Sequence, residues 1–187
     1  WSLTGASALL LDQAGHLLLE ITKPKHWHPG PEGHTIIGLG AFGGSLEPGE
    51  GVLAGLRREV LEELGTSPQL ISAGGPTAVC PTHLVYEQAH IEPVPLARVP
   101  GWPRPVLFTV SANLYRQREL DASVLAIATF WAQLAERPAL GDAFGWLAVP
   151  RATLPALLAH EMMPADRATA LPGVRLQVRA PLPPGAW

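Results

Sequence analysis

Residues 44–66 read GSLEPGEGVLAGLRREVLEELGT, and this stretch is the most informative part of the chain. From Pro48 to Leu64 the apolar residues recur every three or four positions, which is the spacing of one face of an α-helix. Pro48 suits the first turn of such a helix, and Gly65 suits its C-terminal stop. The stretch therefore predicts an amphipathic helix with an apolar stripe of Leu53, Leu56, Val60 and Leu64.

Three glutamates, Glu59, Glu62 and Glu63, lie beside this apolar stripe. Residues three and four apart on a helix project from the same side, so the three carboxylates are neighbours. Like charges at this spacing destabilise a helix by a few tenths of a kcal/mol per pair, roughly, and a bound cation would offset the repulsion. A hard divalent cation is the expected ion, because such ions prefer oxygen ligands. Just upstream, Gly43 and Gly44 let the backbone pass close by, so a carbonyl oxygen there is a further candidate ligand.

The same stretch resembles the Nudix box. That motif is a glycine, five residues, Glu, seven residues, and then Arg-Glu-aliphatic-any-Glu-Glu-any-Gly-aliphatic. The chain departs from it only at Thr66, where the family has an aliphatic residue, and we expect that change to affect local packing alone. The matching residues are Gly44, Glu50, Arg58, Glu59, Val60, Glu62, Glu63 and Gly65.

The resemblance implies an α/β (α+β) fold, with a mixed β-sheet sandwiched between α-helices. It also implies metal-dependent hydrolysis of a diphosphate linkage in a nucleoside diphosphate joined to another group, with Mg²⁺ or Mn²⁺. By the family's roles, Glu59, Glu63 and the Gly43 carbonyl are metal ligands, and Glu62 is a ligand or handles the attacking water. Arg58 and Glu50 are the family's structural pair. The identity of the general base stays open.

Residues outside the box offer weaker candidates. Asp142, shortly before Trp146, is the first candidate for a further acidic ligand and Glu136 the second, although either fits a surface carboxylate equally well. The loop from Lys23 to His34 could contact substrate phosphates or hold zinc, or it could simply be solvated. Its candidate side chains are Lys23, Lys25, His26, His28 and His34, and the candidates for stacking on a base are Trp27 and Trp102.

The remaining pattern predicts a mixture of strands and helices in one domain, residues 1–187. A β-hairpin joins Leu3–Leu11 to Leu17–Ile21 through a turn that contains Gly15. Five prolines between His90 and Pro105 indicate a long loop or insertion at about 90–105, and the tail at about 180–187 is expected to be extended. Further strands are predicted at Thr35–Phe42, Gln69–Cys80, Val106–Tyr115 and Ser123–Leu134, and a further helix at Leu154–Met162.

Composition narrows the class of partner. The net charge of −3 and pI of about 6.2 give no broad basic field, so a small nucleotide-type substrate is expected and nucleic acid is not. The one cysteine, Cys80, suits a buried thiol in a reducing cytoplasm, and the early apolar run is too short to span a membrane. A homodimer is an open alternative to a monomer.

Several substrates and functions are compatible with the sequence. The family's coenzyme A and NADH signatures are absent, and Pro81 lies near the place where members that cleave ADP-ribose carry a proline. Nucleoside triphosphates and sugar nucleotides are further options. A Nudix-fold sensor that binds a nucleotide without cleaving it is the alternative from another class. An isoprenoid diphosphate isomerase is a third hypothesis, for which we find no catalytic cysteine motif.

Overall fold

A computed structural model describes residues 2–71, 77–81, 92–94, 103–112, 124–160 and 162–183. The chain begins with the predicted hairpin, in which β1 (Ser2–Leu11) pairs antiparallel with β2 (Leu17–Ile21). The turn between them is closed by Asp12, whose Oδ1 accepts hydrogen bonds from the backbone N–H groups of Ala14 and His16. Gly15 adopts a φ of +77°, which glycine tolerates readily. The predicted hairpin is therefore confirmed.

The other elements follow along the chain in a mixed order. Two short 3₁₀ turns, Pro24–His26 and Pro31–Gly33, precede the strand that leads to the box. The helices are α1 (Val52–Leu64), α2 (Leu154–Leu158) and α3 (Ala165–Thr169). The strands are β3 (His28–Pro29), β4 (Thr35–Ile36), β5 (Leu39–Gly40), β6 (Phe42–Ser45), β7 (Pro68–Ile71), β8 (Thr77–Pro81), β9 (Glu92–Val94), β10 (Leu107–Ala112), β11 (Val124–Leu134), β12 (Gly145–Val149) and β13 (Arg175–Val178).

One large mixed sheet dominates the described part of the chain. Its strand order is β13-β12-β2-β1-β11-β10-β8-β9, and β5, β6 and β7 pair additionally with β2, β1 and β11. The pairs β1 with β11 and β10 with β8 are parallel, whereas the other ladders of this sheet are antiparallel. A separate two-stranded sheet joins β3 to β4.

The sheet has helices on both faces. Side chains alternate along a strand, and on β12 Trp146 and Ala148 join the core beneath α1, whereas Leu147 and Val149 join a second core. The second core contains Leu157 of α2 together with residues of and near α3. The predicted class, a mixed sheet between helices, is confirmed.

Helix α1 buries the stripe that its sequence predicts. Leu56, Val60 and Leu64 are fully buried, and Leu53 packs against the same core while partly exposed. Gly65 ends the helix in the left-handed conformation, with its N–H donating to the Leu61 carbonyl. The C-terminal boundary is thus where the glycine predicts it.

The predicted N-terminal boundary of α1 is wrong by about one turn. The helix begins at Val52, with Gly51 as its extended N-cap, and Pro48 lies in the preceding turn. Gly49 has a φ of +77°, and the Glu50 carboxylate accepts a hydrogen bond from the backbone N–H of Glu47. A turn therefore forms at residues 48–50 in place of the first helical turn, and in this turn Glu50 is placed to pair with Arg58.

Two predicted strands each contribute to elements that pair with different strands. The stretch 35–42 divides among β4, β5 and β6, which pair with β3, β2 and β1 respectively. The break at Gly38 is stabilised by hydrogen bonds in both directions with Thr22. The stretch 69–80 likewise contributes to β7 and β8, which pair with β11 and β10, while residues 72–76 lie outside the described ranges.

The later elements are closer to prediction. Strands β10 and β11 fall at their predicted positions, although Tyr115 lies outside the described residues. The predicted helix from Leu154 ends at Leu158, and α3 follows Pro164, a residue that disfavours continued helix before it. In the proline-rich stretch the structure places β9 at an edge of the sheet, where a proline costs little.

No helix among the described residues is long and apolar enough to cross a membrane. Trp102, the side chain of Cys80 and the last four residues of the tail lie outside what the structure describes.

Candidate active site

Two adjacent glycines bring the backbone of β6 against α1. Gly43 has a φ of +144°, and a Cβ there would lie 2.2 Å from the carbonyl oxygen of Ala6. A Cβ on Gly44 would lie 2.4 Å from the carboxylate carbon of Glu59. The backbone N–H of Gly43 donates to the Glu63 carboxylate at 3.1 Å. The glycine pair therefore lets two box carboxylates meet the main chain directly.

Arg58 connects the acidic residues of the box. Its Nε and Nη2 donate to the two carboxylate oxygens of Glu50, each at 3.0 Å, in a bidentate pair. Nη1 donates to Glu59 at 2.9 Å and to Glu62 at 3.3 Å. Nη2 also donates to the Ser45 carbonyl at 3.0 Å. One guanidinium thus joins the loop before α1 to the carboxylates on its surface.

The pair formed by Arg58 and Glu50 favours the charged form of both groups. Hydrogen bonds from Arg58, with a further one from the backbone of Glu47, lower the pKa of Glu50 below its usual range. Hydrogen bonds to Glu50 and Glu59 raise the pKa of Arg58. Both groups are therefore charged around neutral pH, which suits a permanent structural contact.

Glu63 is the buried member of the three glutamates. Glu63 is only 5% exposed, and burial raises the pKa of its carboxyl to about 8. The charges of Glu20 and Glu59 raise the pKa further, whereas the Gly43 N–H and the Lys23 ammonium lower it. Glu62 in contrast has a side chain 49% exposed. Neighbouring positions on the helix thus have different surroundings.

Glu20 completes this environment, and it was not among the residues predicted from the sequence. It lies on β2 opposite Trp146 of β12, on the same face as Leu18 and hence on the side of α1. Burial raises the pKa of Glu20 to about 7, the charge of Lys23 lowers it and that of Glu59 raises it. The signal that could have found it is a glutamate inside an otherwise apolar strand.

The three box glutamates are each bonded to another group of the chain. Among the described residues, no group of three or more His, Cys, Asp or Glu side chains is placed to hold a metal. In the box, Glu59 and Glu62 pair with Arg58, and Glu63 is bonded to Gly43. The donor chemistry nevertheless fits a hard divalent cation: burial is the main cause of the raised pKa values of Glu20 and Glu63, and the charges of neighbouring carboxylates add to it, a repulsion that a cation would relieve.

The weaker candidates are dispersed. Asp142 is exposed, and its backbone N–H rather than its side chain contacts α1, donating to the Glu62 carbonyl at 2.7 Å. Glu136 is also exposed, so a metal-ligand role for either residue stays a prediction. The other exposed candidates are Lys25, His26, His28 and His34.

Trp27 is packed on its neighbours. Its indole N–H donates to the Thr22 carbonyl at 2.7 Å, and its ring meets Phe144 edge-on at a centroid distance of 5.2 Å. It borders a core cluster that contains Ile21 and Ile37. The ring is half-buried, so stacking on a base stays a prediction.

A cleft of about 740 Å³ adjoins the box. It has apolar walls from the start of β1 and the turn before α1, and its charged lining consists of Arg58 and three glutamates, Glu47, Glu50 and Glu59. Its lining includes Leu3, Thr4, Leu46, Pro48, Arg58 and Glu59.

Comparison of the sequence with models of known protein families shows the family to which the chain belongs. The model of the NUDIX domain matches residues 2–131, which span β1 to β11 and include the whole box. The chain belongs to the NUDIX family. As a Nudix protein it is a pyrophosphohydrolase. Nudix hydrolases generally use divalent metal ions and act on small nucleotide-type substrates.

Solved structures that are similar to this chain have low sequence identity to it. A MutT protein from Methanosarcina mazei Go1 is 16% identical with a TM-score of 0.45, covering 87% of this chain and 86% of that one. The E. coli ORF135 protein is 14% identical with a TM-score of 0.44, covering 90% and 88%. A MutT protein from Bacillus halodurans is 14% identical with a TM-score of 0.41, covering 92% and 95%. No curated protein matches the chain.

Proposed function

We propose that this Nudix protein hydrolyses the diphosphate linkage of a nucleoside diphosphate joined to another group, with Mg²⁺ or Mn²⁺ as the metal. The observation that carries the proposal is the intact set of box carboxylates beside Gly43 and Gly44 of β6. Glu63 is buried there against a backbone N–H, and Glu59 lies against Gly44. A protein that had lost its chemistry would have no need to keep these mutually repelling acids in place.

The residues that would hold the metal are Glu59, Glu63 and the carbonyl of Gly43. Glu62, the exposed neighbour, is a further ligand or the group that handles the attacking water, and Asp142 is a candidate ligand from a later loop. We add Glu20 to the expected set, because its charge acts on Glu63 from the facing strand. Bound at these oxygens, the cation supplies charge neutralisation and polarises the phosphoryl group.

The residues of the chain have separate tasks in the proposed reaction. A carboxylate of the site takes a proton from water, whose oxygen attacks one phosphorus as the bridging P–O bond breaks. The bridging oxygen leaves with the second phosphoryl product. Arg58 and Glu50 hold the loop and the helix in register during this step, through the bidentate pair.

The cleft beside the box offers a place for the nucleoside end of the substrate. Its apolar walls suit a base or a sugar, and its lining also includes Arg58 and Glu59. Lys23 lies close enough to Glu20 and Glu63 to lower their pKa values, so its charge would also act on a phosphate bound beside those two acids. We propose that the chain acts on a free small molecule in the cytoplasm and binds neither nucleic acid nor a membrane. A homodimer is one oligomeric state that we propose for it.

A substrate panel tests the proposal. Release of phosphate or mononucleotide would be measured from NDP-sugars, ADP-ribose, dinucleoside polyphosphates, CoA, NADH and nucleoside triphosphates, with Mg²⁺ or Mn²⁺ and with EDTA. The variant Glu63→Gln is the inactive control, and Arg175→Ala is a control away from the box. Metal-dependent turnover of one class that is lost in Glu63→Gln supports the proposal. Nucleotide binding without turnover of any class would indicate the sensor instead.

A further inference from the structure

The C-terminal end of α1 carries an unfavourable arrangement of charge. Its last turn contains Glu62 and Glu63 and no basic residue. The C-terminus of a helix bears a partial negative charge, so acids are disfavoured there and cations are favoured. A positive charge from elsewhere in the fold therefore stabilises this end of the helix.

A segment of the chain distant in sequence satisfies the carbonyl groups of that last turn. We call residues 139–143 the cap segment. The backbone N–H groups of Asp142 and Gly141 donate to the carbonyls of Glu62 and Glu63 at 2.7 and 2.9 Å. Ala139 donates to the Leu64 carbonyl at 2.9 Å. The approach is close, since a Cβ on Gly141 would lie 2.0 Å from the Glu62 carbonyl oxygen.

Arg179 holds the cap segment from its other side. It follows β13, and its backbone N–H donates to the Phe144 carbonyl at 2.8 Å. Its guanidinium donates to the carbonyls of Gly141 and Ala143. A guanidinium stays protonated at every accessible pH. One residue thus supplies a positive charge near the acidic end of α1 and braces the peptides bonded to Glu62 and Glu63.

We propose that Arg179 is a positioning residue for the metal site, acting through the cap segment on Glu62 and Glu63. This inference rests on the proposed function, because it assumes that these glutamates bind metal or act beside it. Arg179 lies outside residues 2–131, which match the family model, so it is a feature of this chain beyond the box. Loosening the cap shifts the backbone of Glu63 and weakens the hold on the cation. The cleft that takes the substrate is lined by other residues and keeps its shape.

The test compares Arg179→Ala with Arg175→Ala. Arg175 lies on the strand that precedes Arg179, but it bonds Asp12 and His16 at the hairpin turn and makes no described contact with the cap segment. Mn²⁺ binding to the chain without substrate would be titrated by electron paramagnetic resonance. We expect Arg179→Ala to bind Mn²⁺ roughly 3- to 10-fold more weakly, somewhat less than the loss of a direct ligand partner causes, and Arg175→Ala to bind like the wild type. In turnover assays kcat falls in Arg179→Ala while KM for the nucleotide stays within about twofold, as expected when the binding contacts are kept.

Equal Mn²⁺ affinity in Arg179→Ala and wild type overturns the inference, whatever the activity of either. Wild-type binding without turnover of any substrate overturns the proposed function alone, and absence of wild-type binding overturns both. If Arg179→Ala fails to fold, Arg179→Lys takes its place, because lysine keeps the charge but loses the fork that spans two carbonyls. The amides of Gly141 and Asp142 should then exchange faster with solvent than in the wild type. Unchanged exchange in that variant also contradicts the inference.

Discussion

The buried carboxylate of Glu63 accepts a hydrogen bond from the backbone N–H of Gly43 at 3.1 Å. This contact joins the last turn of the Nudix helix to the strand before it, across a separation of 20 residues. It fixes an acidic group in a site where burial and the charge of Glu20 both raise the pKa of that carboxyl. The contact therefore holds in place the carboxyl group that we propose as a metal ligand.

Substitution of Glu63 by Gln removes the ionisable carboxyl group and keeps the size and shape of the side chain. The amide oxygen still accepts the hydrogen bond from Gly43, so the variant should fold and unfold at a temperature no lower than that of the metal-free wild type. Hydrolysis should fall by roughly 10²- to 10⁴-fold, the range for loss of a catalytic acid–base group or metal ligand. Circular dichroism and an initial-rate assay measure the two effects. Retention of more than about a tenth of the activity would show that Glu63 is dispensable.

The two glycines should respond differently to alanine. In Gly44→Ala the three heavy atoms nearest the new methyl group all belong to the Glu59 carboxylate, the far end of a flexible side chain, so the fold should persist while activity falls. In Gly43→Ala the methyl group meets backbone atoms of β1, and the φ of +144° is unfavourable for alanine, so the protein should be destabilised. Measurement of the thermal unfolding temperature together with the hydrolysis rate distinguishes the two variants. Equal losses of stability in both variants would contradict this assignment.

The stability of the metal-free protein should depend on pH through Glu20 and Glu63. Their folded-state pKa values of about 7 and 8 lie above the usual 4.5, so the folded chain binds protons more tightly than the unfolded one. The resulting stabilisation is complete below the unfolded pKa and is lost as pH rises through about 7 to 8. Thermal unfolding in EDTA should show this decline, with a shallower slope in Glu63→Gln. Added Mg²⁺ should restore stability most at the alkaline end, and identical slopes in both proteins would refute a role for Glu63 in the pH dependence.

Arg58→Lys should weaken the site without removing its charge. Lysine cannot reproduce a fork that holds Glu50 with two bonds and also reaches Glu59, so the loop before α1 should lose its register. We expect kcat to fall at least about tenfold, as when a group that orients catalytic residues is lost. Glu50→Gln removes the same pair from the other side. The double variant should therefore be little worse than either single variant, and fully additive losses would contradict a shared role.

The sequence was most informative where local pattern and tertiary contact agree. Leu56, Val60 and Leu64 repeat at helical spacing and are all buried, and Gly65 ends the helix as its conformational freedom predicts. The box was identified by its residues and their spacing, and the family match confirms it. The bidentate contact joins Arg58 to Glu50, the two residues that the resemblance gives as a structural pair, and their role in the reaction stays a prediction.

The features that the sequence did not predict depend on contacts between distant residues. Strand β2 reads Leu-Leu-Leu-Glu-Ile, so no alternation shows which face Glu20 occupies. The stretch 35–42 has strand composition, but its pairing with three different strands divides it. The contact of Arg179 with the cap segment joins residues 36 and 38 apart. Spacing within one segment carries no information on such contacts.

Hydrolysis of a P–O–P linkage can be followed directly through the fate of the water oxygen. The best substrate of the panel would be incubated with the protein and Mg²⁺ in water enriched in ¹⁸O, and the products analysed by mass spectrometry. We predict one labelled phosphoryl product, formed only with metal and not by Glu63→Gln. Nucleotide binding at the site without any labelled product would contradict the proposed hydrolysis and indicate a non-catalytic Nudix protein.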